Sequence, residues 1–144
     1  MPEDVGRDGG VRGDGVREKV AWVLLRDGQV LMTRSRGRDL FYFPGGMREP
    51  GESDEQTLVR EIDEELQAEI DANSMVHFGT FEIPEGHPAH GPFRMICYTA
   101  GHRGELIPAQ EIEEKAWFRH RDRDRATAVD AMVLDALHER GLLS

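Results

Sequence analysis

The chain has 144 residues, of which 38% are hydrophobic and 32% charged, and its formal net charge is −10. This length suits one domain with a single core, and the composition is typical of a folded globular protein. The negative charge argues against binding to nucleic acid polymers or acidic membranes, although a metal ion could bridge small anionic substrates. The single cysteine, Cys97, excludes both an intramolecular disulfide and a zinc site built from cysteines.

The first residues are rich in Gly, Asp and Arg and lack the apolar core of a signal peptide. No apolar run approaches the roughly 18 residues of a transmembrane helix. We therefore expect a disordered tail at residues 1–16, one domain at residues 17–144 and a cytoplasmic location.

Two strands joined by a hairpin are predicted at residues 20–34, because apolar runs flank Asp27-Gly28, a strong two-residue turn signal. A short aromatic strand is predicted at residues 40–46, where Pro44 and two glycines end it. A helix is predicted at residues 53–66, since Ser53 suits an N-cap and Gln56 completes a capping-box pattern.

The second half of the chain predicts strands at residues 74–83, 94–101 and 115–120, followed by a helix with Gly141 at its C-terminal end. We expect four residues of this helix to contact the core: Ala128, Met132, Leu134 and Leu137. Strands interrupted by one helix and closed by another indicate a mixed α/β sandwich.

Three acids of the first helix, Glu61, Glu64 and Glu65, fall beside an apolar stripe formed by Leu58, Val59, Ile62 and Leu66. Like charges at this spacing cost a helix roughly 0.2–0.5 kcal/mol per pair. A solvated face is the usual explanation for a run of charges, but such faces usually mix signs, and Arg60 is the one base nearby. The alternative is a site for a hard cation, because Mg²⁺ and Mn²⁺ take oxygen ligands and bridge substrate phosphates.

The loop before this helix supports the second interpretation. Gly45 and Gly46 allow the backbone to approach a metal ion or a phosphate closely. Glu52 can fold back onto the start of the helix, towards Arg60.

This stretch resembles the signature of the Nudix (MutT-like) hydrolases. Gly46 is followed after five residues by Glu52, and after seven more by the run from Arg60 to Glu65. Every fixed position between Gly46 and Glu65 matches, but Gln67 stands where the family usually has a Gly that caps the helix. From Val20 to Arg140 the order of elements fits the family's fold, which implies an α/β/α sandwich with a mixed central sheet.

The resemblance implies a metal-dependent enzyme that cleaves a diphosphate by water attack on phosphorus. It implies Mg²⁺ or Mn²⁺ as the cofactor, bound by Glu61, Glu64, Glu65, the Gly45 carbonyl and, with less support, Glu52. It also implies that Arg60 orients the acids through a salt bridge. Glu61 is our first choice for the general base, and Glu111 and Glu114 are the distal alternatives, each of which could equally be surface charge.

Substrate contacts are predicted at Gly46, Arg34, Arg36, His87 and Phe93. The arginines could hold a terminal phosphate, although alternating arginines on the wet side of a strand are the commoner explanation. We hypothesise that the loop at residues 82–94 and the hairpin at residues 22–34 select the leaving group; the loop could also be an ordinary crossover.

The leading functional prediction is a pyrophosphohydrolase for nucleoside di- or triphosphates or related derivatives. An ADP-ribose or nucleotide-sugar pyrophosphatase is the alternative within the family, favoured by Pro84. A non-catalytic module that senses nucleotides is the alternative of another class, disfavoured because all the signature acids are present. The expected partner is a small nucleotide rather than a nucleic acid polymer or a membrane, and the chain is expected to be a monomer or a homodimer.

Overall fold

The structure is a computed structural model that describes residues 15–89 and 91–144. Residues 1–14, which make up most of the predicted tail, and His90 lie outside the described residues. The elements follow in chain order: β1 (Arg17–Val23), β2 (Leu25–Arg26), β3 (Gln29–Ser35), β4 (Gly45–Gly46), α1 (Asp54–Leu66), β5 (Glu69–Ile70), β6 (Val76–Ile83), β7 (Phe93–Thr99), β8 (His102–Arg103), β9 (Ile112–Phe118) and α2 (Ala128–Glu139). Short 3-10 helices cover Ala72–Ser74 and His120–Arg125.

The main sheet has the strand order β4-β1-β7-β6. Strands β1 and β7 are parallel, whereas β4 and β6 run antiparallel to their neighbours, so the sheet is mixed as predicted. A second, antiparallel sheet has the order β2-β3-β9, and β5 pairs with β8. The predicted hairpin is confirmed between β2 and β3, where Asp27 and Gly28 both adopt the positive φ that its turn requires.

Alternation along the strands divides the core into two layers. Val20 and Trp22 of β1 pack towards α1, while Ala21 and Val23 pack towards α2. Strand β3 divides in the same way, since Leu31 belongs to the α1 layer and its neighbours to the α2 layer. The helices therefore lie on opposite sides of the strands, which confirms the α/β/α sandwich.

Helix α1 keeps the predicted start and apolar stripe. Ser53 accepts a hydrogen bond from the Gln56 N–H, and the Gln56 side chain accepts one from the Ser53 N–H. Within the stripe, Leu58, Ile62 and Leu66 are fully buried and Val59 is partly buried. The helix ends at Gln67, which adopts the left-handed conformation (φ 55°) that favours glycine.

Two predictions about the fold are wrong. Residues 40–46 do not form an aromatic strand: Phe41 and Tyr42 make isolated bridges, and regular pairing is confined to Gly45–Gly46. In α2, Leu134 and Leu137 are buried, but Ala128 and Met132 are exposed. The buried face of α2 instead includes Asp130, whose carboxylate is hydrogen-bonded within the core. A prediction that assigns only apolar residues to the core places a buried carboxylate such as Asp130 on the wrong face of its helix.

Within residues 15–89 and 91–144, neither helix is long and apolar enough to cross a lipid bilayer.

Candidate active site

Arg60 is the centre of the polar network at the N-terminal half of α1. Its Nε and Nη2 donate to the two carboxylate oxygens of Glu52 at 2.6 and 2.9 Å. Its Nη1 donates to Glu61 at 2.8 Å, and its Nη2 also donates to the Met47 carbonyl at 3.1 Å. One guanidinium thus joins the loop that precedes α1 to the acid-bearing face of the helix.

Glu52 is committed to holding this loop in place. Besides Arg60, it accepts hydrogen bonds from the Glu49 N–H at 2.8 Å and the Thr57 hydroxyl at 2.9 Å. The hydrogen bond from Arg60 is the main reason that the pKa of Glu52 falls to about 2. Glu52 is therefore ionised at neutral pH, and both its oxygens are already occupied.

A second ion-pair network ties the same loop to the sheet. Arg48 pairs with Asp54 in the first turn of α1 and with Glu18 of β1, whose side chain is only 2% exposed. Arg94 of β7 also pairs with Glu18, at 2.6 Å. The loop is therefore fixed to both α1 and the main sheet, and the site is held on rigid elements.

Glu65, near the C-terminal end of α1, is almost completely buried against the Gly45 backbone. Its side chain accepts a hydrogen bond from the Gly45 N–H at 3.1 Å. Burial raises the pKa of Glu65 well above its ordinary value; the charge of Glu61 adds to this rise and that of Lys19 opposes it. Burial disfavours the charged form of this side chain, and a cation bound beside it would favour that form.

The Glu61 carboxylate lies directly against Gly46, so a residue with a side chain would not fit at position 46. A Cβ atom on Gly46 would lie 2.3 Å from the Glu61 Cδ. Burial also raises the pKa of Glu61, while the hydrogen bond from Arg60 lowers it. Gly45 has a different constraint, because its Cβ would lie 2.0 Å from the Val20 carbonyl oxygen. The two glycines bring the backbone of β4 against the acids of α1.

The three acids of the predicted wedge lie in different environments. Glu65 is buried, the Glu61 side chain is 15% exposed, and the Glu64 side chain is 49% exposed, with its carboxylate 3.6 Å from Arg60. In the part of the chain that the structure describes, no three Asp, Glu, His or Cys side chains converge as they would around a metal ion. Arg60 supplies the positive charge between Glu61 and Glu64 instead.

The predicted distal residues separate into two groups. Arg34 donates to Glu114 at 2.9 and 3.1 Å across β3 and β9, so these two residues pair with each other. Arg36 donates to the Gln110 carbonyl, and its N–H donates to the Glu111 carbonyl. Glu111 is close enough to Glu65 for its charge to contribute to the raised pKa of Glu65. Of the two distal base candidates, Glu114 is engaged by Arg34, whereas Glu111 acts on Glu65 through its charge.

The two predicted contacts in the 82–94 loop differ in their burial. His87 is exposed, and its Nδ1 accepts a hydrogen bond from the Ala89 N–H. Phe93 is partly buried against the α2 layer of the core and lies beneath the Arg17 guanidinium. Their role in substrate binding stays a prediction.

A cleft of about 450 Å³ opens beside Tyr42, on the α2 side of the strands. It is lined by Ser35, Arg38, Asp39, Leu40, Tyr42 and Thr127. Tyr42 lies three residues before Gly45, so the cleft adjoins the segment that leads into β4. Burial raises the pKa of Tyr42, the hydrogen bond with Ser35 lowers it, and the charges of Glu65 and Glu111 raise it. Sequence reasoning missed this cleft, because its walls come from a loop, a strand end and the start of a distant helix.

Sequence reasoning also missed Lys19 and Asp130. Lys19 donates to the Phe43 carbonyl at 2.6 Å, and Asp130 accepts from the Phe43 N–H at 2.9 Å. The available signal was their placement: Lys19 precedes Ala21 and Val23 on one face of β1, and Asp130 precedes Val133 and Leu134 on one face of α2.

The chain matches the family model of the NUDIX domain over residues 16–137. It is 31% identical over 86 residues to the CTP pyrophosphohydrolase of Escherichia coli, a match that covers 49% of this chain and 64% of that protein. It is 42% identical over 57 residues to the RNA pyrophosphohydrolase of Aeromonas hydrophila, covering 39% of this chain and 33% of that protein. The matches thus span between a third and two thirds of the length of these relatives.

The solution structure of the E. coli ORF135 protein is similar to this one, with a TM-score of 0.67 and 27% sequence identity. The similarity covers 85% of this chain and 88% of that one. The family model spans most of the chain, and the residues of the signature lie together in the site described above. The chain therefore belongs to the NUDIX family.

Proposed function

We propose that this enzyme is a pyrophosphohydrolase that cleaves a phosphoric anhydride bond in a nucleoside di- or triphosphate or a related derivative, with Mg²⁺ or Mn²⁺ as its cofactor. The observation that carries the proposal is the placement of Glu61 and Glu65 against the Gly45-Gly46 backbone, where Glu61 pairs with Arg60 and Glu65 is buried with a backbone N–H as its hydrogen-bond donor. A polyanionic substrate would be repelled by such a site unless a cation accompanied it.

The residues present suit a hard divalent ion. Every donor is an oxygen, as Mg²⁺ and Mn²⁺ prefer, and two carboxylates lie in a partly desolvated position. We propose that Glu61 and Glu65 hold the ion together with Glu64, which comes from the same face of α1. When bound, the ion would neutralise substrate phosphate charge and lower the pKa of a water molecule.

The chain's own residues supply the remaining steps. A water oxygen forms a bond to phosphorus as the anhydride P–O bond breaks, and the oxygen of the departing phosphate takes the electron pair. Glu61 is our first choice to accept the proton of this water, since it lies on the acid face next to Gly46. Glu111 is the distal alternative, whereas Glu114 is engaged by Arg34. Arg60 is a positioning residue that fixes Glu61 relative to the loop.

We propose that the cleft beside Tyr42 takes the nucleoside part of the substrate. It offers an aromatic residue, an apolar residue in Leu40 and several hydroxyls, a mixture typical of sites for small molecules. None of the described residues that line it belongs to the 82–94 loop. This placement is therefore an alternative to the selectivity of that loop predicted from the sequence.

The test is a substrate panel with Mg²⁺ and with Mn²⁺ in which products are identified. It contains the nucleoside di- and triphosphates, ADP-ribose, nucleotide sugars and a short RNA with a 5′-triphosphate. We expect hydrolysis of small nucleotides, with CTP included because one relative is a CTP pyrophosphohydrolase. The net charge of −10 argues against the RNA, and preferential cleavage of the RNA would refute the prediction of a small substrate.

Glu64→Gln tests the assignment of the acids. We expect kcat to fall by about a hundredfold or more, because even residues that only support metal ligands typically cost 10–100-fold. Stability without metal should be unchanged or slightly higher, since one of three like charges is removed. Glu55→Gln is the matched control, because Glu55 is an exposed acid in the first turn of the same helix. Near-normal turnover of Glu64→Gln at saturating metal would contradict the assignment, and a wild-type protein that binds nucleotides without cleaving them would favour the sensing module.

A further inference from the structure

Phe43 is fully buried but belongs to no strand, so its backbone groups have no partner in the sheet. A buried peptide group must be hydrogen-bonded, and here two side chains supply the bonds. Asp130 of α2 accepts from the Phe43 N–H at 2.9 Å, and Lys19 of β1 donates to the Phe43 carbonyl at 2.6 Å. One residue is thus held from both sides by ionisable groups of two distant elements.

The residues that follow Phe43 lead directly into the candidate active site. The Pro44 carbonyl accepts a hydrogen bond from the Trp22 N–H at 2.9 Å. The Gly45 N–H then donates to Glu65 at 3.1 Å, and Gly46 lies against the Glu61 carboxylate. Phe43 is thus two residues before the point where the backbone of β4, itself paired with β1, meets the two acids.

The chemistry of the two groups shows that packing alone does not explain them. Asp130 is 2% exposed, and its second oxygen accepts a hydrogen bond from the Thr127 hydroxyl. Lys19 lies on the α2 side of β1, where Ala21 and Val23 are apolar, and its ammonium lies 4.4 Å from the centre of the Tyr42 ring. Burying a charged group costs stability unless it is paired and hydrogen-bonded, so an apolar residue would suit the buried position of Asp130 if packing were its only role. Lys19 is partly buried, and its ammonium donates to the Phe43 carbonyl at 2.6 Å.

We propose that Lys19 and Asp130 are positioning residues for hydrolysis, which hold the Phe43 peptide groups so that Gly45 and Gly46 meet Glu65 and Glu61. Through Asp130, helix α2 contributes to the active site without contacting the reacting atoms. The proposal rests on the proposed function for its kinetic consequences, whereas its structural consequence can be measured independently.

The experiment compares Asp130→Ala with Asp130→Asn, and Lys19→Met with Lys19→Arg. Asparagine keeps an oxygen that can accept from the Phe43 N–H, and arginine keeps a donor for the Phe43 carbonyl. Alanine and methionine remove these groups. Leu137→Ala is the control for stability, since Leu137 is a fully buried residue of α2 without a polar contact to Phe43.

We expect Asp130→Ala and Lys19→Met to lower kcat about tenfold to a hundredfold with little change in KM, because a misplacement of about 1 Å can cost that much. Asp130→Asn and Lys19→Arg should recover most of this loss. Leu137→Ala should lower the melting temperature without lowering kcat at a temperature where it is folded. If Asp130→Ala does not fold, Lys19→Met decides the question by the same measurements.

Three results would overturn the proposal. One is unchanged kcat in a folded Asp130→Ala or Lys19→Met protein. Another is an Asp130→Asn variant as impaired as Asp130→Ala, since the carboxylate charge would then matter and not the acceptor. The third is a change in KM alone, which would place these residues in substrate binding, because Thr127 and Tyr42 line the cleft.

The amide resonance of Gly45 in an NMR spectrum separates this proposal from the proposed function. In the metal-free protein we expect the resonance to shift and its hydrogen exchange to accelerate in Asp130→Ala but not in Asp130→Asn. If the wild type hydrolyses no substrate but the Gly45 amide responds in this way, the proposed function fails and the positioning stands. An unchanged Gly45 amide in both alanine and methionine variants overturns the positioning whatever the activity.

Discussion

Gly46→Ala should remove activity while leaving most of the stability. A Cβ atom at this position would lie 2.3 Å from the Glu61 Cδ and 2.4 Å from its Oε2, and no backbone atom is among its three nearest neighbours. Ordinary contacts begin near 3.4 Å, so the carboxylate must move by about 1 Å while the backbone can stay. The added methyl group therefore acts on one side chain, that of Glu61, which we propose as the general base.

The magnitudes follow from this displacement. A shift of about 1 Å in a catalytic group costs on the order of a hundredfold in rate. A strained rotamer of Glu61 costs about 0.5–1.5 kcal/mol of unfolding free energy. Gly45→Ala should instead act mainly on stability, because its Cβ would lie 2.0 Å from the Val20 carbonyl oxygen and its φ is +143°. We expect it to lose on the order of 3 kcal/mol or more of stability, since backbone must move.

The assay combines turnover of the best substrate at saturating metal with urea unfolding in the presence of a chelator. Glu61→Ala provides the control, because it removes the carboxylate that the new methyl group meets. In that background, Gly46→Ala should cost no stability and could gain about 0.4–1 kcal/mol by restricting the unfolded chain. Wild-type kcat in Gly46→Ala, or a loss of stability that persists in the Glu61→Ala background, would refute the reasoning.

Three further predictions concern stability. Millimolar Mg²⁺ or Mn²⁺ should raise the melting temperature of the wild type, because an ion that binds the folded state stabilises it by mass action. The rise should be much smaller for Glu64→Gln, and equal shifts in the two proteins would contradict the ligand assignment. Gln67→Gly should stabilise the protein by about 1 kcal/mol, since a non-glycine residue in the left-handed region is strained, whereas Gln67→Ala should not stabilise it. Chemical unfolding measures both variants. No gain in stability from Gln67→Gly would contradict the strain at this helix end. Hydrogen bonds from Arg123 lower the pKa of Asp135, so this carboxylate stabilises the folded state above its ordinary pKa of 3.8 and loses that contribution as pH falls through the lowered value. The stability difference between wild type and Asp135→Asn should therefore shrink on acidification, and a difference independent of pH would exclude this ion pair as its source.

Local sequence signals predicted the elements whose structure depends on near neighbours. Asp27-Gly28 specified the hairpin, and Ser53 with Gln56 specified the start of α1, because these contacts span only a few residues. Glu52 directly precedes the N-cap of α1, and the prediction that it folds back towards Arg60 agrees with the hydrogen bonds between the two side chains. The fold class followed from the order of these elements and the family resemblance.

Contacts between distant parts of the chain could not be predicted in this way. The strand predicted at residues 40–46 failed because Phe43 bonds to Lys19 and Asp130 rather than to a neighbouring strand. The phase of α2 was misjudged because Asp130 occupies a core position, where the Phe43 N–H and the Thr127 hydroxyl satisfy its carboxylate. Neither partner is close in sequence, so no periodicity reveals the pairing.

The division of the three glutamates shows the same limit within the candidate site. The sequence by itself determined that Glu61, Glu64 and Glu65 lie on one side of α1, because 3.6 residues make a turn. Only the tertiary structure decided that Glu65 is buried against Gly45 while Glu64 stays half exposed. The reason is that helical periodicity fixes the direction in which a side chain leaves its own helix, whereas its solvation and pKa depend on what packs against it. Here that is the backbone of β4, which pairs with Val20 and Ala21 of β1.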